Sequence, residues 1–284
     1  MGLVVKYKNS LGTVEMFGDS RGDLRITAIE GLGLVEREYE TAVYSGYDGQ
    51  ETLNSRAVAR CITLAVEICS QNAPGVMRDV LTVLSCEGTL FVENENINRR
   101  IECSRVQCPD ATRVMKGQIS TFAVQFTCDN PFFEDGADTV APLYQRVKLL
   151  ESPFSLETMF GDIVLGAEIL ISGHISVEPC LTLYYPTALE GVENITVTNE
   201  STGAFVSLDY APQNDDTVVI DIKNRRVTSS VCGNLISKLS DDSFLGDFVL
   251  VRGINRLSVD VGQVTSDFTI ECRYSNLYGE AVIV

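Results

Sequence analysis

From residue 217 to residue 280 the chain is a run of short strand-like segments parted by turns, and that spacing constrains the fold more than any other feature. The segments are expected at 217–222, 226–230, 247–251, 256–261 and 267–274. Lys223-Asn224 stands where a hairpin would turn, and Gly253 with Asn255 breaks the chain again. The series predicts a meander forming half of a β-sandwich rather than a catalytic pocket.

The rest of the chain is consistent with this. The first forty residues are predicted to hold strands at 4–7, 14–17 and 24–34. Across 57–70 Val58, Ile62, Leu64, Val66 and Ile68 share one face, interrupted by Arg60. The opposite face carries Ala57, Ala59, Cys61, Thr63, Ala65, Glu67 and Cys69. Both faces are fairly apolar, as in a central strand. One helix is expected at 74–84, with Asn72 as its cap, Pro74 in its first turn and a stripe of Val76, Met77, Val80, Leu81 and Leu84. Residues 88–107 read as a hairpin with an Asn-rich tip, whose charged positions suit an arm reaching a neighbour and equally a solvated hairpin. An alternating strand over 118–128 carries Phe122, Val124, Phe126 and Cys128 into Asp129-Asn130-Pro131-Phe132-Phe133, the expected end of a first domain. A short acidic linker, 134–138, follows.

At 284 residues the chain is long enough for two domains with cores of their own. It has 39 Asp and Glu against 22 Lys and Arg, a formal charge of −17, which argues against gripping nucleic acid because phosphate neutralisation needs clustered cations. The first eighteen residues lack the apolar run of a signal peptide, and no stretch is long enough to span a bilayer. Folding in a cytoplasm is therefore expected, with the nine cysteines as thiols, many of them small buried hydrophobes in apolar strands.

The candidate chemistry is thin. The single histidine, His174, lies beside a glycine in a turn region with no nucleophile signature near it. Cys86, Cys103, Cys108 and Cys128 lack the tight pairing of a zinc site. Asp215-Asp216 and Asp241-Asp242 are adjacent in sequence, so on a strand they point apart and in a turn they cap backbone. The Gly31-Leu32-Gly33 triplet lacks the third glycine and following helix of a phosphate loop. No catalytic, metal or cofactor site is expected.

A succession of local motifs resembles the distal tail (Dit) proteins of tailed bacteriophages over essentially the whole length. It runs from the segment Ile26 to Gly33 through the tyrosine-rich loop Tyr44 to Glu51 and the Cys128–Phe133 strand end. Leu150 to Phe154, Glu178 to Pro186, Ile220-Asp221, Gly253-Ile254-Asn255 and Tyr278-Gly279-Glu280 continue it. The chain departs from the pattern at Gly173-His174 and in the turn from Tyr185 to Gly191. The resemblance implies an all-β fold with one helix: an N-terminal ring-forming β-sandwich, 1–135, and a C-terminal galectin-like β-sandwich, 136–284. It implies a structural, non-enzymatic virion protein at the phage tail tip, assembled in the host cytoplasm without membrane insertion. The implied partners are five further copies in a hexameric ring, single or double, the tail tube protein, and hub, tail-fibre or receptor-binding proteins. DNA would cross the channel without specific binding, and acidic lumen groups would repel its phosphates. Exposed tyrosines offer interface area at low entropic cost, so the interface is expected at Tyr39, Tyr44 and Tyr47 and, on the 88–107 hairpin, at Glu93, Asn96, Arg99 and Arg100. A sugar-binding adhesion protein is the alternative, set back by the absence of Trp to stack on a sugar ring.

Overall fold

A computed structural model describes residues 2–46, 48–108, 112–114, 119–147, 162–187, 193–260 and 268–281. The chain divides into two compact units, Met1–Gly136 with Tyr278–Val284, and Ala137–Leu277. Among the described residues the secondary structure is strand apart from one α-helix and two short 3-10 turns.

The first unit holds β1 (Val4–Asn9), β2 (Gly12–Phe17), β3 (Leu24–Glu30), β4 (Arg37–Ala42), β5 (Glu51–Ala57) and β6 (Arg60–Cys69). Helix α1 (Ala73–Leu84) follows, then β7 (Gly88–Glu93), β8 (Asn98–Cys103), β9 (Arg105–Gln107), β10 (Thr112–Val114), β11 (Ile119–Cys128) and β12 (Phe133–Asp135). One sheet runs in the order β10-β11-β6-β3-β2-β1-β7-β8-β12. It curls until β9, the continuation of β8, pairs with β11 near the far end.

The period-two reading of β6 holds. Arg60, Ile62, Leu64, Val66 and Ile68 are all buried, and β6 is central, flanked by β11 and β3. Each of these aliphatic side chains contributes roughly 1.5–3 kcal/mol by leaving water. Phe122, Val124, Phe126 and Cys128 of β11 join the same core with Tyr7, Met16 and Leu90. Helix α1 begins where Asn72 accepts the backbone N–H of Gly75 at 3.3 Å, with Pro74 in its first turn. It packs on β1, β2 and β6 through Ala73, Val80 and Leu84, backed by half-buried Val76, Met77 and Val83. Leu81 is not part of that stripe: one position on from Val80, it turns about 100° toward solvent and is 41% exposed.

Two expectations for the strands fail. Residues 57–70 are not one strand, because the chain breaks at Val58-Ala59 and the residues before it belong to β5. Cysteine burial is also less general than expected: Cys61, Cys69, Cys86 and Cys232 are exposed. Cys61 and Cys69 stand on the outer face of β6, where the alternation points them to solvent.

The second unit holds β13 (Thr139–Val147), β14 (Asp162–Ile171), β15 (Cys180–Tyr185), β16 (Glu193–Asn199), β17 (Ala204–Tyr210) and β18 (Asp216–Asp221). The series continues with β19 (Arg226–Ser229), β20 (Gly233–Asn234), β21 (Gly253–Asp260) and β22 (Thr269–Tyr274). Its strand order is β17-β16-β21-β14-β13-β22-β15-β18-β19-β20. Strand β14 serves both layers, since its first residues pair with β13 and Gly166–Ile171 pair with β21. The change of partner falls at Gly166, whose φ of +131° and close approach to the Leu257 carbonyl leave no room for a Cβ. The layers face each other across one core. Leu181, Leu183, Val218, Ile220 and Ile270 come from one side, and Ile195, Val197, Val206, Leu208 and Leu257 from the other.

The C-terminal segments do not form the predicted meander. Strands β18, β19 and β20 do follow one another by hairpins, but β21 lies between β16 and β14, and β22 between β13 and β15. Residues 247–251 are not a strand either. A 3-10 turn, Leu245–Asp247, leads into a single bridge between Val177 and Leu250. Alternation marks strands but carries no information about their partners.

A buried carboxylate ties this unit together. Asp216 is fully buried and accepts hydrogen bonds from the hydroxyls of Tyr210, Ser229 and Ser230 at 2.6, 2.7 and 3.0 Å. Asp215 beside it points elsewhere, accepting from the Tyr184 hydroxyl at 3.1 Å, so the pair is structural, as adjacency implies. Burial works to raise the Asp216 pKa, but the hydroxyl bonds and the Val231 N–H outweigh it and the net shift is downward. A carboxylate held below its unfolded pKa contributes stability above that value and loses it as pH falls through the folded one. The wild-type protein is therefore expected to lose stability as pH falls below the ordinary aspartate range, about 4. In Asp216→Asn that slope should flatten, as read by urea titration at a series of pH values. An unchanged slope would remove Asp216 as the group responsible.

Candidate interaction surface

Among the described residues β4 and β5 pair only with each other, forming a two-stranded ribbon apart from the main sheet. Every residue of the two strands is exposed except the half-buried Ala42 and Ala57. The sequence explains why. Arg-Glu-Tyr-Glu-Thr-Ala and Glu-Thr-Leu-Asn-Ser-Arg-Ala favour strand by their Tyr, Thr and Leu, yet neither presents an apolar face for a core. Gly46 and Gly49 turn the tip at φ of +88° and +95°. The Val58 N–H bonds the Glu36 carbonyl at 3.1 Å, closing the base, and Arg56 bridges to Glu38 at 2.6 Å.

An isolated two-stranded ribbon is marginal in water. This one nevertheless exposes Tyr39 (62%), Val43 (74%), Tyr44 (52%) and Leu53 (55%), with Leu34 just before it. Among the described residues no further strand pairs with the outer edge of either, and open strand edges are the feature through which strands recruit another chain. Five carboxylates stand against two arginines between residues 36 and 57, so the arm is acidic as well as apolar.

Tyr39 and Tyr44, expected at an interface, thus lie together on an uncovered arm, and Tyr47 lies outside the described residues. The other named residues sit differently. The hairpin of β7 and β8 is built into the sheet, β7 pairing with β1 and β8 with β12. Its charges are engaged there: Glu93 with Lys6 at 2.8 Å, Arg100 with Glu134 at 2.9 Å and Arg99 with Asp135 at 3.1 Å. Arg99 also covers the Tyr278 ring, 3.4 Å from its centroid. Asn96 is exposed at the hairpin tip, its N–H bonded to Asn94 Oδ1. Sequence reasoning did not single out Val43, beside Tyr44, or Leu53, alone among polar residues, because neither belongs to a periodic pattern.

His174 is exposed at the end of β14, its N–H donated to the Leu277 carbonyl at 2.8 Å, while Gly173 is pressed against the same residue. Among the described residues no group of His, Cys, Asp and Glu is arranged to hold a metal, and no helix is long and apolar enough to cross a membrane.

Residues 173–278 match the family model of the siphovirus-type tail component, C-terminal domain. The whole fold agrees with the resemblance to the distal tail proteins. The structure of the Dit protein (gp 19.1) of phage SPP1, described as a paradigm of the hub adsorption apparatus in phages infecting Gram-positive bacteria, superposes with a TM-score of 0.63 at 12% identity, covering 98% of this chain and 99% of that one. A chain of the phage p2 baseplate in its activated conformation with Sr gives 0.53 at 13% identity over 95% and 97% of the two chains. A chain of the same baseplate activated with Ca gives 0.52 at 14% identity over the full length of both. At such identities the superpositions establish a shared fold. No curated protein matches the sequence.

Proposed function

We propose that this chain is a distal tail protein, a structural and non-enzymatic hub joining the tail tube of a long-tailed phage to its baseplate or receptor-binding apparatus. Six copies close a ring through the first unit, as one ring or two stacked, and DNA crosses the central channel without specific binding. The second unit, galectin-like in this reading, holds the adhesion proteins. The protein resides in the virion after assembly in the host cytoplasm.

The observation that carries the ring is the exposed β4–β5 arm. A ribbon that its own unit leaves uncovered, with free strand edges and four large apolar side chains, is suited to a heterologous contact with the next copy. Such contacts close into a ring when the rotation fits. The formal charge of −17 supports the channel role, since acidic walls repel phosphates and keep DNA mobile. Light scattering on the purified protein should give six or twelve times the chain mass, with a central hole in negative-stain images. A strict monomer at high concentration, also in the presence of the tail tube protein, would overturn the ring.

A further inference from the structure

Two thiols meet at the point where the curled sheet of the first unit closes on itself. Cys103 ends β8 and Cys128 ends β11, strands near opposite ends of the sheet order. Both residues are buried, at 3% and 0% exposure, and their sulfurs stand 3.6 Å apart. The seam between them is otherwise short. Gln107, Val106 and Arg105 of β9 pair with Gln125, Phe126 and Thr127, and the Ser104 N–H and hydroxyl both donate to the Thr127 carbonyl. We propose that Cys103 and Cys128 form a disulfide lock for this seam, closed by a small-molecule disulfide once the protein meets an oxidising environment.

The geometry suits the bond. A disulfide is about 2.05 Å long, so the sulfurs need to approach by roughly 1.5 Å, within the reach of side-chain rotation and slight strand movement. A hydrogen bond already aims them at each other. An open cleft of about 530 Å³, lined by Glu87, Glu102, Cys103, Ser104 and Asp129 among others, leads to the Cys103 side of the pair.

The electron count closes with one reagent. Cys103, which lines the cleft, loses its proton to solvent and its thiolate attacks one sulfur of the small disulfide, breaking that S–S bond and releasing one thiolate. Cys128 then loses its proton and attacks the Cys103 sulfur, forming the Sγ–Sγ bond and expelling the second thiolate. The protein thiols are oxidised by two electrons, the reagent is reduced, and the two protons end on its thiols. In the reduced protein Cys128 donates its S–H to Cys103 Sγ, and Cys103 donates its own to the Ile101 carbonyl. The contact with Cys103 and the Arg60 cation push the Cys128 pKa down, so Cys128 is the better resolving thiolate, whereas the same contact and burial push the Cys103 pKa up. The three carboxylates at the cleft make a cationic disulfide such as cystamine a faster reagent than anionic oxidised glutathione.

The test treats the reduced full-length chain with cystamine, blocks remaining thiols and maps peptides without reduction. A peptide joining Cys103 to Cys128 is expected, formed faster with cystamine than with oxidised glutathione. The linked protein should have an unfolded population lower by about a hundredfold in urea, a gain reversed by dithiothreitol. Cys128→Ala should show no such gain. Should that variant fail to fold, the peptide map and the reduced-versus-oxidised comparison on the wild-type chain decide alone. The proposal is overturned if Cys103 and Cys128 stay free after exposed Cys61, Cys69, Cys86 and Cys232 have reacted. It is equally overturned if the linked chain unfolds as readily as the reduced one.

Discussion

With Arg60 replaced by Ala, the first unit is expected to lose about 3–5 kcal/mol, a large share of what a domain of this size has. The side chain is 6% exposed and donates to four carbonyls: Nε to Pro131 at 2.7 Å, Nη1 to Gly31 and Gly33 at 2.6 and 2.8 Å, and Nη2 to Gly279 at 2.6 Å. Its cation also lies 4.7 Å from the centroid of the Phe133 ring. One planar fork thereby ties the loop after β3, the turn before β12 and the returning C-terminal segment to the central strand. Burial pulls the guanidinium pKa down, while Cys128 and Glu280 pull it back up, and an arginine so held stays charged. The alanine variant leaves these carbonyls facing a cavity without their donor. Arg60→Lys keeps the charge but gathers its donors on one nitrogen, so it should recover only part of the loss. Urea titration with near-UV circular dichroism reads both. An alanine variant within about 1 kcal/mol of wild type would show that the carbonyls find other partners.

The same residue shows where sequence reading stops. In 57–70 the period-two pattern gave the buried face and the central place of β6, because alternation and burial are one physical fact in a pleated strand. Arg60 read as an interruption of that face. It is instead the residue that the face was built to hold, since carbonyls from residues 31, 33, 131 and 279 converge only after folding. The helix and its cap were legible for a related reason, because Asn72, Pro74 and the stripe act within a few residues of one another. The partners of β21 and β22 were not, because pairing between distant strands leaves no local trace. The arm was half legible. Its clustered tyrosines stood out in the sequence and are exposed, but 51–57 is polar on both sides and its strand follows from pairing with 37–42 rather than from any pattern of its own.

Replacing Tyr39, Val43, Tyr44 and Leu53 together with Ser is expected to leave the chain folded and to weaken its self-association by roughly a thousandfold or more. Large apolar side chains at a protein interface contribute about 1–2 kcal/mol each, and every 1.4 kcal/mol is a factor of ten. Within the monomer the same four side chains are more than half exposed, so their loss should change the urea midpoint little, within about 0.5 kcal/mol. The two readouts separate the explanations. If the arm docks on the next copy, light scattering falls from the assembled mass to the single chain while the unfolding curve stays put. If the four side chains instead hold the arm against its own unit, the unfolding curve moves and assembly falls only as far as folding does. A variant that still assembles as the wild type would place the ring contact elsewhere on the first unit. A milder probe guards against loss of the ribbon itself: Tyr39→Asp keeps the strand register and adds a charge to an arm already acidic. Its association should weaken further as salt is lowered, because like charges across a docked edge are screened least there.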